Sequence, residues 1–237
     1  AKNQYLAFNG EEYFRIVMTI RNSRTSMDLF TDLTNTSIES SLSDLYKPKN
    51  EILKTSIQID DMSETSYLIK NKKFYSYIDK NNNGFFELGG SFELDRAANK
   101  FNDGFYVYLD LNELNLDDIF YTQTGNGGAV AIKEIKIKTK KFNFLNNLYN
   151  DQSINILFKD EIEAKLFGKD LDGSINIDKT NFIKINLNKA KFNFKGLDIA
   201  KSELAEDLNN INLRFIGKNI QTEDELFQDI DFYLLRN

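Results

Sequence analysis

A mainly β fold, an antiparallel and jelly-roll-like β-sandwich with a few short helices, is what this sequence predicts. Two observations carry the prediction. The first is alternation: along Ile135-Lys136-Ile137-Lys138-Thr139-Lys140-Lys141-Phe142-Asn143-Phe144, apolar residues take turns with Lys or Asn, as in a strand with one face buried and the other wet. The second is punctuation: roughly a dozen such short segments are separated by Gly, Asn and Asp turn signals, the pattern of sandwiches and barrels. The 135–144 segment is also echoed downstream, by Ile183-Lys184-Ile185-Asn186-Leu187-Asn188 and then Lys191-Phe192-Asn193-Phe194. Ile154-Asn155-Ile156-Leu157-Phe158 is echoed in turn by Ile211-Asn212-Leu213-Arg214-Phe215. The spacing drifts, with residue 135 matched to 183, 142 to 192 and 154 to 211, whereas a solenoid would hold its period. Two organisations remain open: two β units, 1–139 with a short helical insertion around 26–47 and 140–237, or one continuous domain whose strands share composition.

Taken in order, the first predicted strand is Tyr13 to Arg21, with Phe14, Ile16, Met18 and Ile20 facing one way and Arg15, Thr19 and Arg21 the other. From Ser26 to Lys49, Leu29, Leu33, Ile38, Leu42 and Leu45 recur at spacings that predict one or two short helices, stopped by Pro48. Ile57 and Ile59 mark a strand with those residues inward. Phe74 to Ile78 and Phe85 to Leu88 form the clearest hairpin, joined by Asp79 to Gly84, in which Asn-Gly is a turn signal since both residues tolerate a positive φ. Phe105 to Leu111 is apolar or aromatic on both faces and belongs at the centre of a covered sheet. Ile119 to Gln123 and Ala129 to Lys138 flank the glycine-rich Gly125-Asn126-Gly127-Gly128 loop, with a bulge expected near Lys133-Glu134, where the inward parity changes. Ile162 to Phe167 and Ile175 to Ile177 make another hairpin, closed by Asp172-Gly173. A helix is predicted over Glu203 to Asn209, capped by Ser202, and a last strand over Ile230 to Leu235.

Composition narrows function by exclusion. The 237 residues contain no His and no Cys, which removes the usual general base near neutral pH, thiol nucleophiles, disulfides and thiolate zinc sites. With 30 basic and 36 acidic residues interspersed and a net charge of -6, nucleic acid is not an expected partner. The sequence contains no apolar run long enough to make a transmembrane helix. The chain starts Ala1-Lys2-Asn3-Gln4 without an initiator Met, as expected where an upstream piece, able to carry a lipidated cysteine, has been removed.

Each candidate site has a bland competitor. Asp79-Lys80-Asn81-Asn82-Asn83-Gly84-Phe85-Phe86-Glu87 matches the first part of a calcium loop, but position twelve is Gly90 and the flanks are strands, so a tight polar hairpin is the better reading. Gly168 to Gly173 is a weaker match, lacking an oxygen ligand at its first position. Lys136, Lys138, Lys140, Lys141 and Lys133 could meet a polyanion such as a sulfated glycan, though a solvated face diluted by Glu134, Glu161 and Glu163 explains them better. Tyr75, Tyr77, Tyr106, Tyr108, Tyr121 and Tyr233 are the aromatic candidates for a sugar platform, against a core role. The carboxylate pairs Asp60 with Asp61, Asp117 with Asp118 and Glu223 with Glu225 are sequence neighbours. Glycoside hydrolysis instead needs two carboxylates facing each other about 5 to 9 Å apart. No enzyme activity is therefore expected, no catalytic or metal-ligating residue is assigned, and no cofactor is expected.

The absence of Cys and His, the missing start and the Lys, Asn, Ile and Phe bias resemble the mature part of a Borrelia-type spirochaetal surface lipoprotein. Phrases such as Tyr13-Phe14-Arg15-Ile16-Val17-Met18 and Phe182-Ile183-Lys184-Ile185-Asn186-Leu187 carry that likeness. The resemblance implies an antigen on the outer membrane surface, anchored in the membrane by an N-terminal lipid that lies outside this chain. It also implies an adhesin role toward a host matrix protein, complement component or glycan. Strand richness departs from the helical bundles frequent in that group. Tyr106-Val107-Tyr108-Leu109-Asp110-Leu111 with the segment from Ala129 to Ile137 also resembles the late strands of galactose-binding or discoidin-type jelly rolls. Asp229 to Leu235 is similar to the closing strand of such a fold. A carbohydrate-binding module of a secreted or surface polysaccharide system is the alternative function.

Overall fold

The computed structural model describes residues 6–21, 24–40, 42–60, 66–92, 101, 103–115, 131–144, 147–192, 212–222 and 225–234. The described strands are β1 (Leu6–Asn9), β2 (Arg15–Arg21), β3 (Arg24–Thr31), β4 (Ser37–Ser40), β5 (Thr55–Asp60), β6 (Ser66–Lys70), β7 (Phe74–Ile78) and β8 (Gly84–Leu88). They continue as β9 (Phe105–Asn115), β10 (Ile132–Phe144), β11 (Asn147–Phe158), β12 (Ile162–Phe167), β13 (Leu171–Ile177), β14 (Ile183–Lys191), β15 (Leu213–Gln221) and β16 (Leu226–Leu234). The fold is mainly β, as the alternation predicts. Its layout differs from an antiparallel sandwich: among the described residues β1 pairs with β4, and the other fourteen strands form one sheet ordered β16-β15-β14-β13-β12-β11-β10-β9-β8-β7-β6-β5-β3-β2. The sheet is mixed, because β8 pairs with β9 and β14 with β15 in parallel. A tight hairpin can only return antiparallel, and both parallel pairs are joined by connections long enough for a crossover, residues 89–104 and 192–212.

The chain divides into two compact units, one of residues 1–111 and 118–133 and the other of residues 112–117 and 134–237. In the second unit the alternation is interrupted along a line that crosses several strands. Buried Thr139 and Phe142 are separated by exposed Lys140-Lys141, and buried Tyr149 and Gln152 by Asn150-Asp151. Buried Leu187 and Ala190 are likewise separated by Asn188-Lys189, and Gly217 and Ile220 by Lys218-Asn219. The interruptions are in register: Thr139 faces Gln152 and Lys141 faces Asn150, while Leu187 faces Gly217 and Ala190 faces Ile220. Asp151 at φ 50° and Asn219 at φ 48° occupy the left-handed region that short polar side chains tolerate. The sheet is thus creased so that residues on both sides of the line point inward, onto a core of Ile137, Phe142, Phe144, Ile154, Leu166, Leu171, Leu187 and Ile220. Of the two residues behind the parity change expected at Lys133-Glu134, Ile132 is exposed and Val130 lies outside the described residues; the change that β10 shows is at Lys140-Lys141.

The crease also revises two sequence expectations. Asp172-Gly173 does not close a hairpin; it sits inside β13 at a register shift against β14, and the turn is made by residues 168–170. Gly173 at φ 157° is pressed against the carbonyl of Asn186, leaving no room for a Cβ. The echo between 135–144 and 183–192 does correspond to two creased strands, β10 and β14. Its continuation is not equivalent, because β11 runs antiparallel to β10 whereas β15 runs parallel to β14.

In the first unit the region from Ser26 to Lys49 is not helical. It forms β3, β4 and a single 3₁₀ turn, Ser43–Leu45. Leu33 has a φ of 46°, which a right-handed helix cannot contain, and Leu29 and Ile38 lie on strands instead. Ile38, Leu45 and Leu53 form a small core around Lys47, whose side chain is fully buried. The Lys47 ammonium donates to the carbonyls of Thr36 at 2.6 Å and Pro48 at 3.0 Å. Burial lowers the Lys47 pKa, opposed by the charges of Glu51 and Glu12.

The two faces of the first unit's sheet differ in character. Residues opposite one another in a ladder share a face, so one face carries the rows Ile16–Leu29–Ile57–Ile69 and Met18–Met27–Ile59–Tyr67–Ile78. None of these residues is buried, and Ile16 and Met18 are each 56% exposed. The other face carries an aromatic cluster at its β7–β9 end, where Phe85, Phe101 and Tyr108 are buried and Tyr75, Tyr77, Phe92 and Tyr106 pack against them. The rings of Phe85 and Phe101 lie 4.7 Å apart and those of Phe92 and Tyr108 5.5 Å apart, contacts that add to area burial.

Candidate functional site: a basic cleft on the β2–β6 sheet

The same face carries a cleft of about 910 Å³ at its β2–β6 end. Its floor follows from register: Arg15 on β2 faces Phe30 on β3, Phe30 faces Ser56 on β5, and Ser56 faces Lys70 on β6. Lys54, Lys72, Asp32 and Tyr13 line it beside that row. Four cations and one carboxylate therefore share one opening, in a chain whose overall charge is -6. Strand spacing of about 4.8 Å brings side chains from successive strands close together on one face.

Partners leave part of this charge available. The Arg15 guanidinium stacks over the Phe30 ring, 4.8 Å from its centre, which fixes its direction without neutralising it. Lys72 is 3.2 Å from Glu51 in an exposed pair that salt screens. Among the described residues neither Lys54 nor Lys70 has an ion pair or a hydrogen-bonded side-chain partner. The neighbouring Glu12 carboxylate is committed to the scaffold, accepting from the Thr31 hydroxyl at 3.1 Å and from the Asn35 N–H at 2.5 Å. Tyr13, 90% exposed, stands at the rim with its ring open to a ligand. A smaller recess of about 100 Å³ adjoins through Lys70, Asn71 and Lys72 and reaches the buried Glu87. Chemically, the cleft offers three ammonium groups, one guanidinium oriented by the Phe30 ring and the open ring of Tyr13, a set suited to an anionic ligand.

The sequence candidates fall elsewhere. Asp79 acts as a turn cap: one carboxylate oxygen accepts from the N–H groups of Asn81 and Asn83, each at 2.8 Å, and the other from the Asn83 amide at 3.2 Å. Those donors organise the polar hairpin. Asp178 does the same for the β13–β14 turn, and the hydrogen bonds from Thr180 and Phe182 hold its carboxyl below the usual range. Within the lysine stripe, Lys136 lies 3.2 Å from Glu134 and Lys140 donates to Asn112 at 3.0 Å, as on a solvated, paired face.

Of the tyrosines, Tyr75, Tyr77, Tyr106 and Tyr108 belong to the aromatic cluster, and Tyr106 donates to Asp103 at 2.8 Å. Tyr233 is exposed with Arg214 over its ring at 4.8 Å. Asp60 accepts from Gln58, and Glu225 is exposed on the turn before β16. Tyr121, Asp61, Asp117, Asp118, Glu223, the 125–128 loop and the predicted 203–209 helix lie outside the described residues. Sequence reasoning missed the cleft because its cations come from separate segments: Arg15 and Lys70 read locally as wet residues of alternating strands, and Lys54 and Lys72 as solvated residues beside β5 and β6.

Comparison with protein-family models, with curated proteins and with solved structures finds no match.

Proposed function

We propose that this is a non-enzymatic, lipid-tethered cell-surface protein, an antigen that serves as an adhesin by holding an anionic host glycan in the β2–β6 cleft. The observation behind this reading is the excess of cations in the opening: Arg15, Lys54, Lys70 and Lys72 against Asp32. Sulfate or carboxylate groups on a glycan would meet the ammonium groups, and a sugar ring has the exposed Tyr13 to lie against. Titration calorimetry with a sulfated glycan tests it. Binding should weaken as salt rises and be lost in a Lys54→Glu, Lys70→Glu variant. Equal binding of that variant, or of wild type at any salt, would refute the cleft. Binding of a neutral polysaccharide as tight as that of the sulfated one would favour the carbohydrate-module alternative instead.

A second reading comes from the opposite face of the first unit, where the aliphatic rows of β2–β7 are only half buried. Exposed apolar patches of this kind mark contact with apolar partners. Partition onto neutral lipid vesicles, lost in an Ile57→Glu, Ile59→Glu variant, is the expected result if that face is used. Unchanged partition would set the reading aside.

A further inference from the structure

Both ends of the fourteen-strand order are strands with a free edge. Among the described residues β2 is hydrogen-bonded on one side only, to β3, and β16 on one side only, to β15. A free edge of this length is normally blunted by Lys, Pro, a bulge or a covering segment. Here neither strand contains Lys or Pro, and both expose large apolar residues, including Ile20 at 70% and Leu226 at 59%.

The two edges are opposite in charge. β2, Arg-Ile-Val-Met-Thr-Ile-Arg, carries Arg15 and Arg21 and no acidic residue. β16, Leu-Phe-Gln-Asp-Ile-Asp-Phe-Tyr-Leu, carries Asp229 and Asp231 and no basic residue; Asp231 is paired with Arg214 of β15 at 2.8 Å, which leaves Asp229 as the uncommitted acidic charge of this edge. Each also separates its character by face. On β2 the residues Ile16, Met18 and Ile20 share one side and Arg15 and Arg21 the other; on β16 Ile230 and Phe232 alternate with Asp229 and Asp231. A strand fits a free edge when apolar side chains meet apolar ones and charges meet their opposites.

We infer that β16 of one copy adds to β2 of a second copy, a head-to-tail strand pairing directed by the acidic and basic edges. Pairing like with like would set Arg15 and Arg21 against themselves, or Asp229 against itself, which the charge pattern opposes. The contact is heterologous, so a chain of copies keeps one unused β2 edge at one end and one unused β16 edge at the other.

Two variants, each blocking one edge and sparing the cleft, test this by sedimentation equilibrium. Ile20→Glu with Arg21→Glu blocks β2, and Leu226→Lys with Asp229→Lys blocks β16; all four residues are exposed, and circular dichroism confirms folding. Wild type should gain mass with concentration and lose that gain in high salt. Each variant alone should be monomeric, and an equimolar mixture should form a one-to-one dimer through the single remaining competent pair of edges. Self-association of either variant alone would overturn the inference by showing like-edge pairing. A wild type that stays monomeric, or a mixture that does not associate, would overturn it as well. Glycan binding by both variants should persist, which separates this outcome from that of the cleft.

Discussion

The two units bury the same kinds of residue to very different extents, although their strands alternate alike. In the second unit the crease turns Ile137, Phe142, Phe144, Leu187 and Ile220 toward one another, and each is at most 3% exposed. In the first unit Ile16, Met18, Leu29, Ile57 and Ile69 lie on an equally regular face, yet that face has no described cover. Alternation determines which residues share a face. Whether the face is dry depends on what bends over or packs onto it, and a crease of two exposed residues per strand achieves that for the second unit.

The largest test of this contrast is a pair of truncations. Phe142→Ala should cost about 3–5 kcal/mol, since a fully buried ring leaves a cavity. Ile20→Ala should stay within about 0.5 kcal/mol, because it removes little buried area. Urea unfolding of both variants checks this, and a comparable loss in the two would mean that β2 is covered in solution.

A smaller effect is expected at Lys47. Replacing it with Met leaves the carbonyls of Thr36 and Pro48 without their donor, and a loss of about 1–3 kcal/mol is expected from unsatisfied buried acceptors. Chemical denaturation of Lys47→Met measures it, and unchanged stability would show that water replaces the ammonium.

The smallest effect separates the units by pH. Burial, with the nearby Asp170 charge second, raises the pKa of Tyr149, whose hydroxyl donates to the Lys191 carbonyl at 2.9 Å. The folded state keeps this proton when the unfolded chain, with its ordinary value of 10.0, releases it. The contribution of Tyr149 is therefore full below pH 10.0 and is lost progressively above it. Lys47 has the opposite sign. Its folded pKa lies below the ordinary 10.5, so the folded state releases its proton first, and stability rises with pH up to that value. Thermal melting between neutral and strongly alkaline pH should show a shallower alkaline loss in Tyr149→Phe and a steeper one in Lys47→Met. Identical slopes in the two variants would contradict the assignment.

Much of the strand pattern was legible in the sequence. The β7–β8 hairpin follows from the polar Asp79–Asn83 stretch between two apolar runs, although Asn82 rather than Asn83 takes the left-handed backbone and Gly84 already belongs to β8; β5, β12 and β16 follow from plain alternation. The crease was not legible, because it depends on Asp151 and Asn219 adopting left-handed backbone at positions where a local reading sees only two wet residues in a row. The parallel pairs were missed because a long connection such as 89–104 or 192–212 permits either direction and carries no local signal of the one taken. The helices expected between Ser26 and Lys49 failed because spaced leucines fit strands and turns as well as a helical face, and Leu33 decides against the helix only through its backbone angle. The cleft is a product of register: Arg15, Lys54 and Lys70 share one opening only once β2, β3, β5 and β6 are paired.

Hydrogen exchange read by mass spectrometry, with and without a sulfated glycan, tests the central claim most directly. The account predicts added protection in the β2–β6 segments of the first unit and none along Lys136, Lys138 and Lys140 on β10. Protection concentrated on β10, with the β2–β6 segments unchanged, would contradict it.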